Sequence, residues 1–376
     1  MIDRQRIETP AVVIQRATLD DNLRRMQTLA RTHGLRLRPH IKTHKSLAIA
    51  RLQMAAGACG ITAAKVDEAL PFIRDGAIPS VTLAQPQMIA SKLDRLMAAA
   101  QAHHCDLRLI VDSRPGLDLL AGRAIEQRFT PGVFIKIDVG LHRCGCRPHD
   151  PAILALAQTI HQHPRLRFVG LLSHAGHAYG AKDRPTVAAI AEEERHTMLA
   201  VARRLEEAGI PVPEISVGAT PTVLAATRFD GITEIRPGNY VFMDQTPLRL
   251  GLITSEQIAL TVLTTVISRN PDFLIVDAGS KTFSSDMGAH GSGQGVGFGV
   301  GWPRDCFGDD EQVLSVVRLS EEHGFIPRDH SDLALGTCVR VIPNHACPVA
   351  NLARTLVVLD GKDVYEWPVD ARGRVR

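Results

Sequence analysis

The 376 residues are 45% apolar and 22% charged, enough for one large domain and a smaller one around a sizeable buried core. The formal net charge of +3 is small for this length, and acids and bases are interspersed. Composition therefore argues against a nucleic-acid or membrane surface, and a small-molecule partner is expected.

The first six residues, Met1-Ile2-Asp3-Arg4-Gln5-Arg6, carry charges where a signal peptide needs an apolar core. No later stretch has the roughly 18 to 20 unbroken apolar residues of a membrane helix, so a cytoplasmic protein is expected. Seven cysteines at 59, 105, 144, 146, 306, 338 and 347 show no paired disulfide or zinc-finger spacing, which suits a reducing compartment. Cys144-Gly145-Cys146 reads as two loop residues.

From residue 10 to about 245, short aliphatic runs alternate with helical patterns, the signature of βα units and a parallel sheet. Thr18 caps a helix with an apolar face of Leu19, Leu23, Met26, Leu29 and Ala30, and Gly34 ends it. Strand candidates lie at 35–39, 60–63, 80–83, 107–111, 133–138, 167–173, 214–217 and 231–235. Eight such units predict a (β/α)8 TIM-type barrel. A late helix runs through Val187, Ile190, Met198, Val201 and Leu205 to Gly209. Beyond residue 245 the pattern turns strand-like, at 258–268, 273–277, 312–319, 338–342 and 355–359. This predicts an α/β protein in which a barrel over 10–245 is followed by a smaller β-rich domain over 246–376, joined by residues 1–9. Between Ser284 and Trp302, glycines 291, 293, 295, 297 and 299 alternate with other residues; no strand-to-helix pattern surrounds them, so a loop or strand edge is expected over a nucleotide site.

Three constellations carry candidate chemistry. Pro39-His40-Ile41-Lys42-Thr43-His44-Lys45 ends the first barrel strand. Barrel active sites sit at that end, and a lysine emerging there can lose its proton by desolvation and attack an aldehyde. Position alone leaves Lys42 and Lys45 tied, beside the plainer reading of basic residues capping a strand. Ser216-Val217-Gly218-Ala219-Thr220-Pro221-Thr222 follows the seventh strand candidate, where barrels often bind phosphate through freed backbone N–H groups and hydroxyls. Arg236-Pro237-Gly238-Asn239-Tyr240 follows the eighth and completes the same cup. In Pro343-Asn344-His345-Ala346-Cys347-Pro348, a histidine and a cysteine two residues apart in an extended segment face one side and form an open pair for zinc. Asp138, His142 and Arg143 follow the fifth strand candidate, and His174, His177 and Tyr179 the sixth; their shared barrel face raises them above chance histidines.

Together these motifs resemble the D-serine dehydratase and D-threonine aldolase group of fold-type III pyridoxal-phosphate enzymes, relatives of the alanine racemase barrel. The likeness runs nearly end to end. It takes in Glu8-Thr9-Pro10-Ala11, the motif at Lys42, residues 65–70 (KVDEAL), 140–145, 216–222 and 240–244, Val276-Asp277-Ala278-Gly279, Glu322-His323-Gly324 and the segment around His345. The resemblance implies that Lys42, rather than Lys45, carries pyridoxal 5'-phosphate as a Schiff base, with His40 beside it. It implies that Arg143 faces the cofactor's phenolic oxygen and that Gly218, Ala219, Thr220, Gly238, Asn239 and Tyr240 surround its phosphate. It puts His174 near the ring nitrogen, where many aldolases have tyrosine. A divalent metal, zinc first and manganese or cobalt next, falls on His345 and Cys347, and His177, Tyr179, Asp277 and His323 fall toward the substrate.

In this group His-x-Cys goes with dehydratases and His-x-Asp with aldolases. The activity implied is removal of water from a D-3-hydroxy amino acid such as D-serine, D-threonine or D-threo-3-hydroxyaspartate, giving a 2-oxo acid and ammonia. Retro-aldol cleavage to glycine and an aldehyde is the alternative, and a cofactor-binding protein without turnover is a third reading. The family also implies a homodimer.

Overall fold

In the computed structural model, which describes residues 7–288, 297–309, 312–328 and 333–376, the alternating aliphatic runs become eight parallel strands. The chain divides by contact into two units, each taken by itself below. One holds residues 26–42, 49–238 and 374–376; the other holds residues up to 25, 43–48 and 239–373. The second unit thus begins its main segment at Asn239 and reclaims the start of the chain through Arg25, whereas the sequence places the break at 245 and gives residues 10–25 to the barrel.

The start of the chain shows why. Ala11–Gln15 (β1) is a short apolar run with three consecutive buried residues. It pairs antiparallel with Leu260–Arg269 (β10) and parallel with Thr355–Asp360 (β17). Its partners lie more than 240 residues away, so nothing local in the sequence assigns it to a sheet. The helix Arg16–Thr32 follows at once, beginning two residues before Thr18, and buries Leu19, Leu23, Met26 and Ala30 as expected of its periodicity.

The barrel unit contains β2 (Arg36–Leu37), β3 (Ile61–Ala63), β4 (Ser80–Leu83), β5 (Asp106–Val111), β6 (Gly132–Lys136), β7 (Arg167–Leu172), β8 (Glu214–Val217) and β9 (Glu234–Ile235). Their order, β2-β9-β8-β7-β6-β5-β4-β3, leaves β2 and β3 at the ends. Those ends meet: Cys59 N–H donates to the Leu37 carbonyl at 2.9 Å and Thr62 N–H to the Pro39 carbonyl at 2.8 Å, with a parallel bridge from His40 to Thr62. The sheet closes on itself and so has no open edge. Gly60, at φ 151°, makes the closure possible; a Cβ there would fall 2.4 Å from both Arg38 Nη1 and the Ser80 carbonyl.

The β-rich unit is built on a sheet ordered β13-β12-β16-β10-β1-β17-β18, where β12 is Gly299–Pro303, β13 Leu314–Val316, β16 Cys338–Pro343 and β18 Asp363–Pro368. Phe273–Val276 (β11) branches from β10 and pairs with Gly324–Pro327 (β15), which pairs in turn with Arg318–Leu319 (β14). Val12, Ile14, Val262, Val339, Val341 and Val358 fill its core. Of the glycine-rich stretch, 291, 293 and 295 lie outside the described residues. Gly299 and Gly301 sit in β12 between β13 and β16, where Cβ atoms would approach Val341 to 2.7 and 2.9 Å. The alternation there serves close strand packing rather than a nucleotide.

Candidate active site

In the barrel unit, His40 and Lys42 leave the carboxyl end of the first barrel strand, and Ile41–Thr43 forms a single 3-10 turn. The Lys42 N–H donates to His40 Nδ1 at 3.4 Å. Lys45 belongs to the other unit, where it is buried and its Nζ donates to Asn351 Oδ1 at 2.8 Å. Geometry thus separates two lysines that strand position leaves equal.

The loop after β8 forms a cradle. Gly218 adopts φ 108°, and a Cβ there would sit 2.9 Å from Val223 Cγ2. Ala219 N–H turns inward to Thr222 Oγ1 at 3.0 Å, and the helix Thr220–Ala225 follows. Thr220 is 1% exposed, and its hydroxyl has no hydrogen-bond partner among the described residues. A buried hydroxyl left so costs about 1 to 3 kcal/mol unless something accepts its proton. A phosphate oxygen supplies that acceptor, so the cradle fits a phosphorylated cofactor. Gly238 lies in the same unit, whereas Asn239 and Tyr240 are counted with the other, where Asn239 Nδ2 donates to Asp244 Oδ2 at 2.9 Å and Tyr240 is buried.

After β7, His174 Nδ1 lies 3.3 Å from the Gly218 carbonyl, so the loops after β7 and β8 touch. His177 and Tyr179 lie on the 3-10 turn Gly176–Gly180. The His177 ring packs over Gly140, where a Cβ would come within 3.1 Å, and its buried Nδ1 has no partner among the described residues. Arg143 is exposed in the loop after β6, where His142 pairs with Asp138 at 2.8 Å.

Sequence reasoning misses the polar interior beneath these loops. Arg38 and Glu234 form an ion pair at 2.8 Å, 1% and 0% exposed. Glu234 also accepts from Ser216 Oγ at 2.6 Å, and Arg236 donates to Ser216 Oγ and to the Ser173 carbonyl. Ser173 Oγ donates to Glu194 Oε1 at 2.6 Å; Glu194 comes from the helix Arg184–Glu207, capped by Asp183. Lys136 ends β6 in this interior. Burial above all, and then the positive charge of Arg236, lower its amine to about 7 against the pull of Cys144 and Glu194. The signal was present in the sequence as a lysine inside the apolar run Gly132-Val133-Phe134-Ile135-Lys136-Ile137.

In the β-rich unit, His345 follows β16 and Cys347 lies in the first turn of the helix Ala346–Leu352. The segment is therefore not extended through Cys347, as the sequence reading has it; it turns helical at Ala346. The pair still converges, because Cys347 lies close enough to the imidazole to act on its charge. His345 Nδ1 lies 2.7 Å from Asp286 Oδ2. Burial works against the charged ring, but Cys347, Asp286 and Asp244 outweigh it and push His345 up to about 10. Asp244 is wholly buried and accepts from the Ala346 N–H at 2.9 Å and the Thr246 N–H at 3.0 Å. Thr246 Oγ1 in turn donates to the Asn344 carbonyl at 3.0 Å. Asp286 does not stand out in the sequence, because it meets the histidine only through the fold.

A carboxylate on Nδ1 orients an imidazole so that Nε2 faces a metal, and the neighbouring sulfur supplies a second donor. Among the described residues no group of three or more His, Cys, Asp or Glu could hold a metal ion. Two protein donors leave the remaining positions of a four-coordinate metal to water and substrate. Asp277 is placed elsewhere in this unit, its carboxylate accepting from Thr9 Oγ1, Thr264 Oγ1 and the Thr265 N–H. His323 is exposed in the turn before β15.

The sequence profile described as "Alanine racemase, N-terminal domain" matches residues 14–246, and the one described as "Putative serine dehydratase domain" matches residues 259–359. D-threo-3-hydroxyaspartate dehydratase of Delftia sp. (strain HT23) is 39% identical over 354 residues, 91% of this chain and 91% of that protein. D-threonine aldolase of Arthrobacter sp is 32% identical, across 98% of this chain and 93% of its own. The solved structure of the Delftia dehydratase superposes with a TM-score of 0.89 at 35% identity, covering 98% of this chain and 99% of that one. Solved variants of D-threo-3-hydroxyaspartate dehydratase replace a histidine and, two positions later, a cysteine by alanine, the latter in a metal-free form.

Proposed function

Because the chain belongs to the D-serine dehydratase and D-threonine aldolase group of alanine racemase-like enzymes, we propose that it is a pyridoxal-phosphate- and metal-dependent lyase that removes water from a D-3-hydroxy amino acid. The products are a 2-oxo acid and ammonia. The observation that carries the choice of dehydration is the His345 and Cys347 pair, with Asp286 Oδ2 2.7 Å from the imidazole. The histidine and cysteine replaced in the D-threo-3-hydroxyaspartate dehydratase variants have the same spacing.

When bound, pyridoxal phosphate takes up the electron pair left at Cα, and a divalent metal on His345 and Cys347 makes the β-hydroxyl a better leaving group. Lys42 would hold the cofactor through its amine, and the free amine would take the Cα proton as general base. Gly218, Ala219 and Thr220 would hold the phosphate, with the buried Thr220 hydroxyl as its donor. Gly238 would join them at the phosphate, Arg143 would meet the phenolic oxygen and His174 the ring nitrogen. His177 and Tyr179, on the turn after β7, face the substrate. Zinc suits the nitrogen and sulfur donors best. A homodimer is part of this reading.

Incubation with D-threonine tests the reaction class directly. Dehydration releases 2-oxobutanoate and ammonia; glycine with acetaldehyde would establish the aldolase reaction instead, which the similarity to the Arthrobacter enzyme keeps as the second reading. A panel of D-serine, D-threonine and D-threo-3-hydroxyaspartate then identifies the side chain.

A further inference from the structure

Lys42 and Lys45 draw attention for their amines, but Thr43, two residues before Lys45, makes the contact that reaches a metal ligand. Thr43 is 1% exposed. The Cys347 thiol donates to Thr43 Oγ1 at 3.3 Å, across 304 residues of chain. Both residues lie in the β-rich unit, and no other partner of this hydroxyl occurs among the described residues. Thr43 closes the 3-10 turn Ile41–Thr43 and is peptide-bonded to Lys42. A buried β-branched side chain on a turn has little rotameric freedom, so its oxygen stays with the sulfur.

We propose that Thr43 is a positioning residue for Cys347, holding the sulfur in place as a metal ligand. The inference rests on the metal reading given above. A cysteine binds metal as the thiolate, which has no proton to donate. The threonine hydroxyl is both donor and acceptor, so from the same place it would donate to a metal-bound sulfur. A hydrogen bond to a charged acceptor is stronger than the thiol contact it replaces. Partners of this kind behind a metal ligand typically contribute 10- to 100-fold in metal affinity.

Threonine and valine have nearly the same shape, so a packing role survives Thr43→Val and a hydrogen-bonding role does not. The measurement is zinc affinity of the chelator-stripped full-length protein, by competition with a chromogenic chelator. Thr43→Val is expected to weaken zinc binding about 10-fold or more, Thr43→Ser to stay within about threefold of the wild type, and Cys347→Ala to lose more than either. Wild-type zinc affinity in Thr43→Val, alongside a loss in Cys347→Ala, overturns the role of Thr43 and leaves the metal site standing. Undiminished zinc binding in Cys347→Ala overturns the metal reading and the role of Thr43 with it. If Thr43→Val does not fold, Thr43→Ala against Thr43→Ser decides: a loss restored by serine supports the hydroxyl, and equal affinities overturn it.

Discussion

Asp286 Oδ2 and His345 Nδ1 stand 2.7 Å apart, joining residues 59 positions apart in the chain. This contact turns a weak two-residue motif into an oriented ligand, because an imidazole with one nitrogen engaged presents the other in a defined direction. Asp286→Ala is therefore expected to lower zinc affinity about 10- to 100-fold while leaving cofactor content unchanged. Competition with a chromogenic chelator measures the first and the cofactor's visible absorbance the second. Unaltered zinc affinity would remove Asp286 from the site.

Lys42→Ala should abolish the visible absorbance that arises when pyridoxal phosphate is linked to a lysine, and with it turnover on every D-3-hydroxy amino acid tested. Lys45→Ala should retain the absorbance, because Lys45 Nζ is committed to Asn351 at 2.8 Å. Absorbance persisting in the first variant and vanishing in the second would reverse the assignment.

Turnover should fall on treatment with a strong chelator and return with zinc. Activity that is indifferent to exhaustive chelation, with metal content verified as nil, would exclude a role for the His345 and Cys347 pair in the reaction.

The Arg38–Glu234 pair lies in the barrel interior at 1% and 0% exposure. Removing one partner leaves an uncompensated buried charge, so Arg38→Met is expected to cost about 3 to 5 kcal/mol of stability. The double change Arg38→Met with Glu234→Met should cost less than the sum of the two single changes, since the ion pair is then removed whole. Urea denaturation of the four proteins closes this cycle. Strict additivity would mean the two groups do not interact.

Lys136 sets a pH dependence. Its amine is lowered from 10.5 to about 7 in the folded protein. Between those values the unfolded chain binds more protons at this position than the folded one, so this residue makes stability rise with pH, by at most about 1.4 kcal/mol per unit. Lys136→Met removes that contribution. Its stability relative to the wild type should be greatest near pH 7 and shrink toward pH 10. Denaturation midpoints at several pH values check this, and a constant difference across the range would show the amine is not depressed.

Much of the barrel was legible in the chain, because its elements are local. A strand of four to six residues that buries aliphatic side chains, followed by a periodic helix, announces itself, as Ser80–Leu83 and Asp106–Val111 do. Ala11–Gln15 was not legible as part of the β-rich sheet, since its partners, β10 and β17, come from the far end of the chain. The same division runs through the candidate site. The residues Lys42, Gly218, His345 and Cys347 stand in short motifs, where spacing and chemistry suggest what each can do. Asp286 beside His345, Thr43 beside Cys347 and Lys136 among buried arginines and glutamates depend on contacts that no spacing encodes. The sequence by itself determined which side chains exist and their intrinsic chemistry; only the tertiary structure decided which of them are desolvated and which partners they meet, and those two conditions set their protonation and orientation.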